Sequence, residues 1–119
     1  MSDIFEAATA QFKAARGDLD VIEVPEWEVD SKPAKIFYYG KPNVSEFLEL
    51  SKYLKGDEIN YEVLIRAFML FARNEDGRRL FPDHTKTSIY ESYDPDIITR
   101  IVADMGIINR LFGNDPKNA

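Results

Sequence analysis

Apolar residues follow two periodicities along this chain, and the switch between them marks out its elements. Over residues 3–16, Ile4, Phe5, Ala8, Phe12 and Ala15 recur at three- and four-residue spacings, which lines them along one side of a helix. Ser2 is placed to cap that helix and Gly17 to end it. The stripe is narrow and alanine-rich, so the segment 1–17 is expected to be peripheral or to dock a partner. From 19 to 39 the period changes to two, with Val21, Val24, Trp27 and Val29 in a stretch suited to a pleated surface. Pro25 lacks a ladder donor and interrupts it, so the expected hairpin pairs 26–29 with 35–39 across Asp30-Ser31-Lys32-Pro33. Ile36 and Tyr38 then face opposite to Phe37 and Tyr39.

Beyond residue 40 the helical period returns. Asn43 with Glu46 three residues on has the form of a capping box and opens a helix over 44–54. Phe47, Leu48, Leu50 and Leu54 give it a broad apolar face, and Lys55-Gly56-Asp57 closes it. Asn60 caps a second helix over 61–73, in which Val63, Leu64, Ile65, Phe68, Met69, Leu70 and Phe71 cover nearly the whole circumference, the mark of a central helix. Asn74-Glu75-Asp76-Gly77 reads as a turn, Leu80-Phe81 returns the chain to the core, and Pro82-Asp83 opens a short helical stretch to about Tyr90. The last helix starts with Asp94 as cap and Pro95 at the first position, and runs to about Phe112 through Ile97, Ile98, Ile101, Val102, Met105, Ile108 and Leu111. Gly106 weakens its continuity, and the polar 113–119 is expected to be a mobile tail. The expected fold is α+β, mainly α: four to five helices forming a core with one small antiparallel β-hairpin, in a single domain over 1–119.

Charge and composition narrow the chemistry. Fifteen Lys and Arg against 21 Asp and Glu leave a net charge of −6, which disfavours nucleic acid and anionic membranes as partners. There is no cysteine, hence no disulfide scaffold, thiolate metal site or cysteine nucleophile. The N-terminus is acidic and no stretch is long and apolar enough to cross a bilayer, so the protein is expected to stay in the cell that makes it.

His84 is the sole histidine and is expected to be a solvated loop side chain. Ser88, His84 and Asp83 lie too close on one helical stretch to point together as a triad. Asn74, Asp76 and Gly77 match inner positions of a calcium-binding loop, but Ala72 and Asp83 fall where it needs a carboxylate and a bidentate Glu. The glycines are isolated, and the acid pairs Asp57-Glu58 and Glu75-Asp76 read as solvated surface. No catalytic, metal or cofactor residues are expected, and the chain reads as a non-enzyme.

Taken in order, Trp27 before a short hairpin, the run Arg73-Asn74-Glu75-Asp76-Gly77-Arg78-Arg79-Leu80-Phe81, a short acidic-to-aromatic helix, and Asp94-Pro95-Asp96-Ile97-Ile98 leading into an amphipathic helix form a series. It resembles the tail assembly chaperones of long-tailed, siphovirus-type bacteriophages over roughly 21–112. Asn74 stands where that family has an acid, and Asp104-Met105-Gly106 takes the place of its late Asn-Gly or Met-Gly element. Before residue 20 the likeness fades.

The resemblance implies a non-enzymatic protein that works in the host cytoplasm during assembly and is absent from the mature virion. Its partners would be the tape measure protein, which it keeps soluble, tail tube subunits, further copies of itself, and a longer form made by translational frameshifting. The alternative is a tail completion or connector component retained in the particle. A coating protein needs apolar surface left over once its core is filled. The candidates are Ile4, Phe5 and Phe12 on the first helix, Trp27, Tyr38 and Tyr39 in the hairpin, and the pair Tyr90 and Tyr93. One hairpin face must pack inward, and Trp27 and Phe37 are expected to belong to it.

Overall fold

The computed structural model describes residues 3–53 and 60–109. In chain order these form α1 (Ile4–Arg16), β1 (Asp20–Val29), β2 (Lys32–Tyr38), α2 (Val44–Ser51), α3 (Tyr61–Phe71), a 3₁₀ turn (Asp83–Thr85), α4 (Lys86–Ser92) and α5 (Pro95–Met105). The fold is α+β and mainly α, as the two periodicities require. The expected cap Ser2, the helix end 54–57, Leu111, Phe112 and the tail 113–119 lie outside the described residues.

α3 is the centre. Val63, Ala67, Phe68, Met69 and Phe71 are fully or almost fully buried. α5 packs against it through Ile97, Ile98, Ile101, Val102 and Met105, while Leu50 of α2, Ile89 of α4, and Val24 and Ile36 of the hairpin complete the core. Each of these side chains other than Ala67 contributes roughly 1.5–3 kcal/mol relative to exposure. Asn60 caps α3 by accepting from Val63 N–H, and Asp94 caps α5 by accepting from Asp96 N–H. α5 stops at Gly106, which takes the left-handed conformation at φ +71°, so the expected helix to Phe112 is broken there. Ile107 and Ile108, just beyond, are still buried.

The hairpin differs from the expected one in register. β1 begins at Asp20, and Asp20, Val21, Ile22 and Glu23 pair with Tyr38, Phe37, Ile36 and Lys35, so 35–38 does not pair with 26–29. The turn is the two-residue Asp30-Ser31, with φ of 54° and 66°, a geometry that follows the twist of the strands. Pro25, Glu26 and Trp27 have no partners across the ladder and form a bulge. The bulge absorbs a proline that cannot donate, and it also changes the alternation. Val24 faces inward, and regular pleating would send Glu26 in and Trp27 out. Instead Trp27 packs on the core and Glu26 stays exposed. Of the expected strand apolars, Val21 and Val29 are exposed. Phe37 is half-buried on the other face, where its N–H and C=O exchange hydrogen bonds with the backbone of Arg73 at 2.9 and 2.8 Å.

α2 overturns a second expectation. Its capping box forms, with Asn43 Oδ1 accepting from Glu46 N–H at 2.8 Å and Glu46 Oε1 accepting from Asn43 N–H at 2.9 Å. Of its supposed apolar face, however, Leu50 alone among the described residues is buried; Phe47 and Leu48 are exposed and Glu46 points inward. In the same way Phe81 packs on the core while Leu80 beside it is exposed.

Candidate functional site

α1 has no buried residue. Asp3 caps it by accepting from Glu6 N–H, the role expected of Ser2, and Gly17 ends it at φ +68°. Its tie to the rest of the chain is polar. Arg16 Nη2 donates to Glu46 Oε1 at 3.1 Å, and its guanidinium lies 4.1 Å from the centre of the Tyr39 ring. Glu46, 8% exposed, also accepts from Arg73 Nη2 at 2.8 Å, and Arg73 Nη1 donates to the Gly77 carbonyl. One carboxylate therefore joins the end of α1, the start of α2 and the turn after α3. Gly77 must be glycine here: its φ is +84°, and a Cβ would stand 3.3 Å from the Tyr39 hydroxyl.

Because this tether holds only the C-terminal end of α1, the apolar stripe stands off from α2. The groove between them measures about 690 Å³ and is lined by Phe5, Ala8 and Phe12 on one side and Lys41, Pro42 and Val44 on the other. Phe5 is 78% exposed and Val44 74%. Phe47 and Leu48, three and four residues beyond Val44 on the same helix face, carry apolar surface onward from the groove.

A second concavity forms where the bulge meets the α4–α5 junction. Trp27, Phe68, Phe81 and Tyr93 make a ring cluster: Trp27 stands edge-on to Tyr93 at 5.7 Å and to Phe68 at 6.1 Å, Phe68 stacks on Phe81 at 4.6 Å, and Phe81 is edge-on to Tyr93 at 5.9 Å. Phe68 is the buried member. The other three, with Ser92 and Asp94, border an open pocket of about 410 Å³.

Of the candidate residues, the fold gathers Phe5 and Phe12 into the groove and Trp27 and Tyr93 into the ring pocket. Ile4 stays on the exposed end of α1. Tyr38 packs against the core, where burial first and then the charges of Asp20 and Asp104 push its hydroxyl above the ordinary value. Tyr39 lies between Arg16 and Arg73, and Tyr90 is exposed beneath the Lys86 ammonium. Val44, Phe47 and Leu48 went unrecognised as surface, because a 3.6-residue period shows that one face is apolar and not which way it turns. No local signal marks the turn of the helix: Glu46 faces inward because Arg16 and Arg73 meet it there, from 30 and 27 positions away, and a helix that turns its acid inward turns its apolar neighbours out.

The remaining charges are structural in geometry. Buried Arg66 donates to Asp83 and to Glu49, both at 2.9 Å, and Arg79 adds a bond to Asp83 at 3.2 Å. These arginines hold the Asp83 carboxyl below its usual range, and Lys52 with Arg66 lowers that of Glu49. Arg100 grips Glu26 with two bonds of 2.5 and 2.6 Å, and Glu26, through these and its own backbone, is lowered to about 2. Among the described residues no group of three or more His, Asp or Glu side chains is placed to hold a metal ion, and no helix is long and apolar enough to cross a membrane.

No protein-family model, curated protein or solved structure matches this chain.

Proposed function

We propose that the chain is a non-enzymatic assembly chaperone of the phage-tail type, one that self-associates, holds a long helical tape measure protein in solution and offers it to tail tube subunits. The observation that carries this reading is the apolar surface around the α1–α2 groove, where Phe5 and Val44 are each about three-quarters exposed. An amphipathic helix laid between α1 and α2 would bury such a surface in the helix-in-groove manner. The net charge of −6 keeps a protein with that much exposed apolar area in solution. On this reading it acts in the host cytoplasm and leaves before the particle is complete.

Co-expression with a helical tape measure fragment tests the proposal. The wild-type chain should keep the fragment soluble and co-elute with it, and light scattering over a concentration series should show mass rising with concentration. Replacing Phe5 and Val44 together by Asp should abolish both effects while leaving the circular dichroism unchanged, because neither side chain contributes to the core. A chain that remains monomeric at high concentration and leaves the fragment insoluble refutes the proposal. Finding the chain in purified mature virions would favour a retained tail completion or connector component instead.

A further inference from the structure

The ring pocket differs in chemistry from the groove. Its border carries a carboxylate, Asp94, beside Trp27, Phe81 and Tyr93. Tyr93 meets Trp27 at 71° and Phe81 at 85°, so the rings form a corner in which a guest meets more than one π-surface. Such surfaces are negative on their faces and attract cations. Asp94 uses Oδ1 to hold the Asp96 N–H at 2.8 Å, and among the described residues no Lys or Arg pairs with it. Glu26, next to Trp27 in sequence, is already matched by Arg100, whereas Asp94 is offset by the N-terminus of α5 that it caps and by no side-chain cation among the described residues.

We propose that this pocket receives a guanidinium or ammonium side chain of a partner protein. An anion would meet the Asp94 carboxylate, and a purely apolar guest would strip water from it with no compensation. A cationic head with an alkyl stem suits both halves of the site: the head faces Asp94 and the Tyr93 hydroxyl, and the stem lies on the rings. The space of about 410 Å³ is larger than a small free cation fills and leaves room for the stem and the backbone that carries it. The chain's negative charge would draw such a partner in and exclude acidic ones. This inference is independent of the chaperone reading, which rests on the other surface.

Trp27 is the only tryptophan, so its fluorescence reports on the pocket directly. The full chain would be titrated with blocked tripeptides, glycine on either side of arginine, lysine or citrulline, and with tetramethylammonium. The arginine and lysine peptides should shift the emission saturably and bind at least fivefold more tightly than the citrulline peptide. Asp94→Asn retains the helix cap but not the charge, and should weaken the arginine peptide threefold or more. Tyr93→Leu should weaken it similarly, and Tyr93→Phe less than twofold. Equal binding of the arginine and citrulline peptides, binding of tetramethylammonium alone, or an unchanged affinity in folded Asp94→Asn each overturns the proposal.

Discussion

Glu46→Ala removes the single carboxylate on which three elements converge. Its two oxygens accept from Arg16 at 3.1 Å, Arg73 at 2.8 Å and the Asn43 N–H at 2.9 Å, and the residue is 8% exposed. The cost divides unequally between the two arginines. Arg16 sits at the end of a helix with no buried residue, beside Gly17, so once released its guanidinium can turn back to water. Arg73 has no such freedom: both side chains are largely buried with an unpartnered Nε–H, but the backbone of Arg73 is fixed to Phe37 through both its N–H and its C=O. Stranding that charge costs about 2 kcal/mol, at the lower end for a broken buried pair because the neighbouring turn is solvated. Loss of the reciprocal cap adds about 1 kcal/mol.

The expected total is about 3 kcal/mol, which at a urea slope of roughly 1.5 kcal/mol/M lowers the unfolding midpoint by about 2 M at unchanged slope. Glu46→Gln keeps the acceptor for Asn43 and loses only the charge, so about half that effect is expected. Arg16→Ala should cost about 1 kcal/mol, less than Arg73→Ala, because Glu46 keeps Arg73 and the Asn43 N–H when Arg16 is lost. If Glu46→Ala shifts the midpoint by less than about 0.5 M, or Arg16→Ala matches Arg73→Ala, the convergence on Glu46 does not stabilise the fold through Arg73.

Three further outcomes are expected. Phe68→Ala, which empties the middle of α3 and takes the stacked partner from Phe81, should cost about 3–5 kcal/mol in chemical unfolding; a loss under 1 kcal/mol would show that α3 is not the centre. Asp94→Ala should cost about 1 kcal/mol through the lost cap, whereas Asp94→Asn should be nearly neutral, a contrast that thermal unfolding of the two variants measures. Glu26 is lowered from 4.5 to about 2 in the folded chain, so its stabilisation is complete above pH 4.5 and is lost as pH falls toward 2. Glu26→Gln should therefore flatten the pH dependence of stability in that window, and an NMR titration midpoint near 4.5 for the Glu26 carboxyl would contradict the Arg100 clasp.

How much of this could be read from the chain depended on the range of the interaction. α3 was legible because apolar residues on every side of a helix leave one place for it, and α2 and α5 because Asn43, Asp94 and Pro95 act within a few residues. The hairpin existed on paper but with the wrong partners: register depends on the bulge at Pro25–Trp27, and a bulge is visible only as a mismatch across the ladder. The outward face of α2 could not be read, since its direction follows from Glu46 meeting Arg16 and Arg73, residues 30 and 27 positions away. The Glu26–Arg100 clasp spans 74 positions and leaves no local trace. Among the candidate residues, Phe5 and Tyr93 were recognisable as surplus aromatic surface, whereas Tyr38 and Tyr39 both found partners inside the fold once the register was set.

α1 presents the remaining physical problem. Thirteen residues are close to the lower limit at which an isolated helix holds in water, and no residue of this helix is fully buried. Its caps and the Arg16 tether supply a few kcal/mol at most, against a backbone ordering cost of about 1 kcal/mol or more per residue. In the free chain α1 should therefore open at far lower free energy than α3, which lies under the whole core. Filling the groove would bury Phe5, Phe12 and Val44 and give α1 the packing it lacks, so occupation of the groove and ordering of α1 are two sides of one equilibrium. Hydrogen exchange reads this directly: amides of α1 should exchange orders of magnitude faster than those of α3 in dilute free chain, and should slow at least tenfold when a tape measure fragment or a high concentration of the chain itself covers the groove. Protection of α1 equal to that of α3 in the dilute chain would mean that its caps and Arg16 suffice, and that the groove needs no occupant.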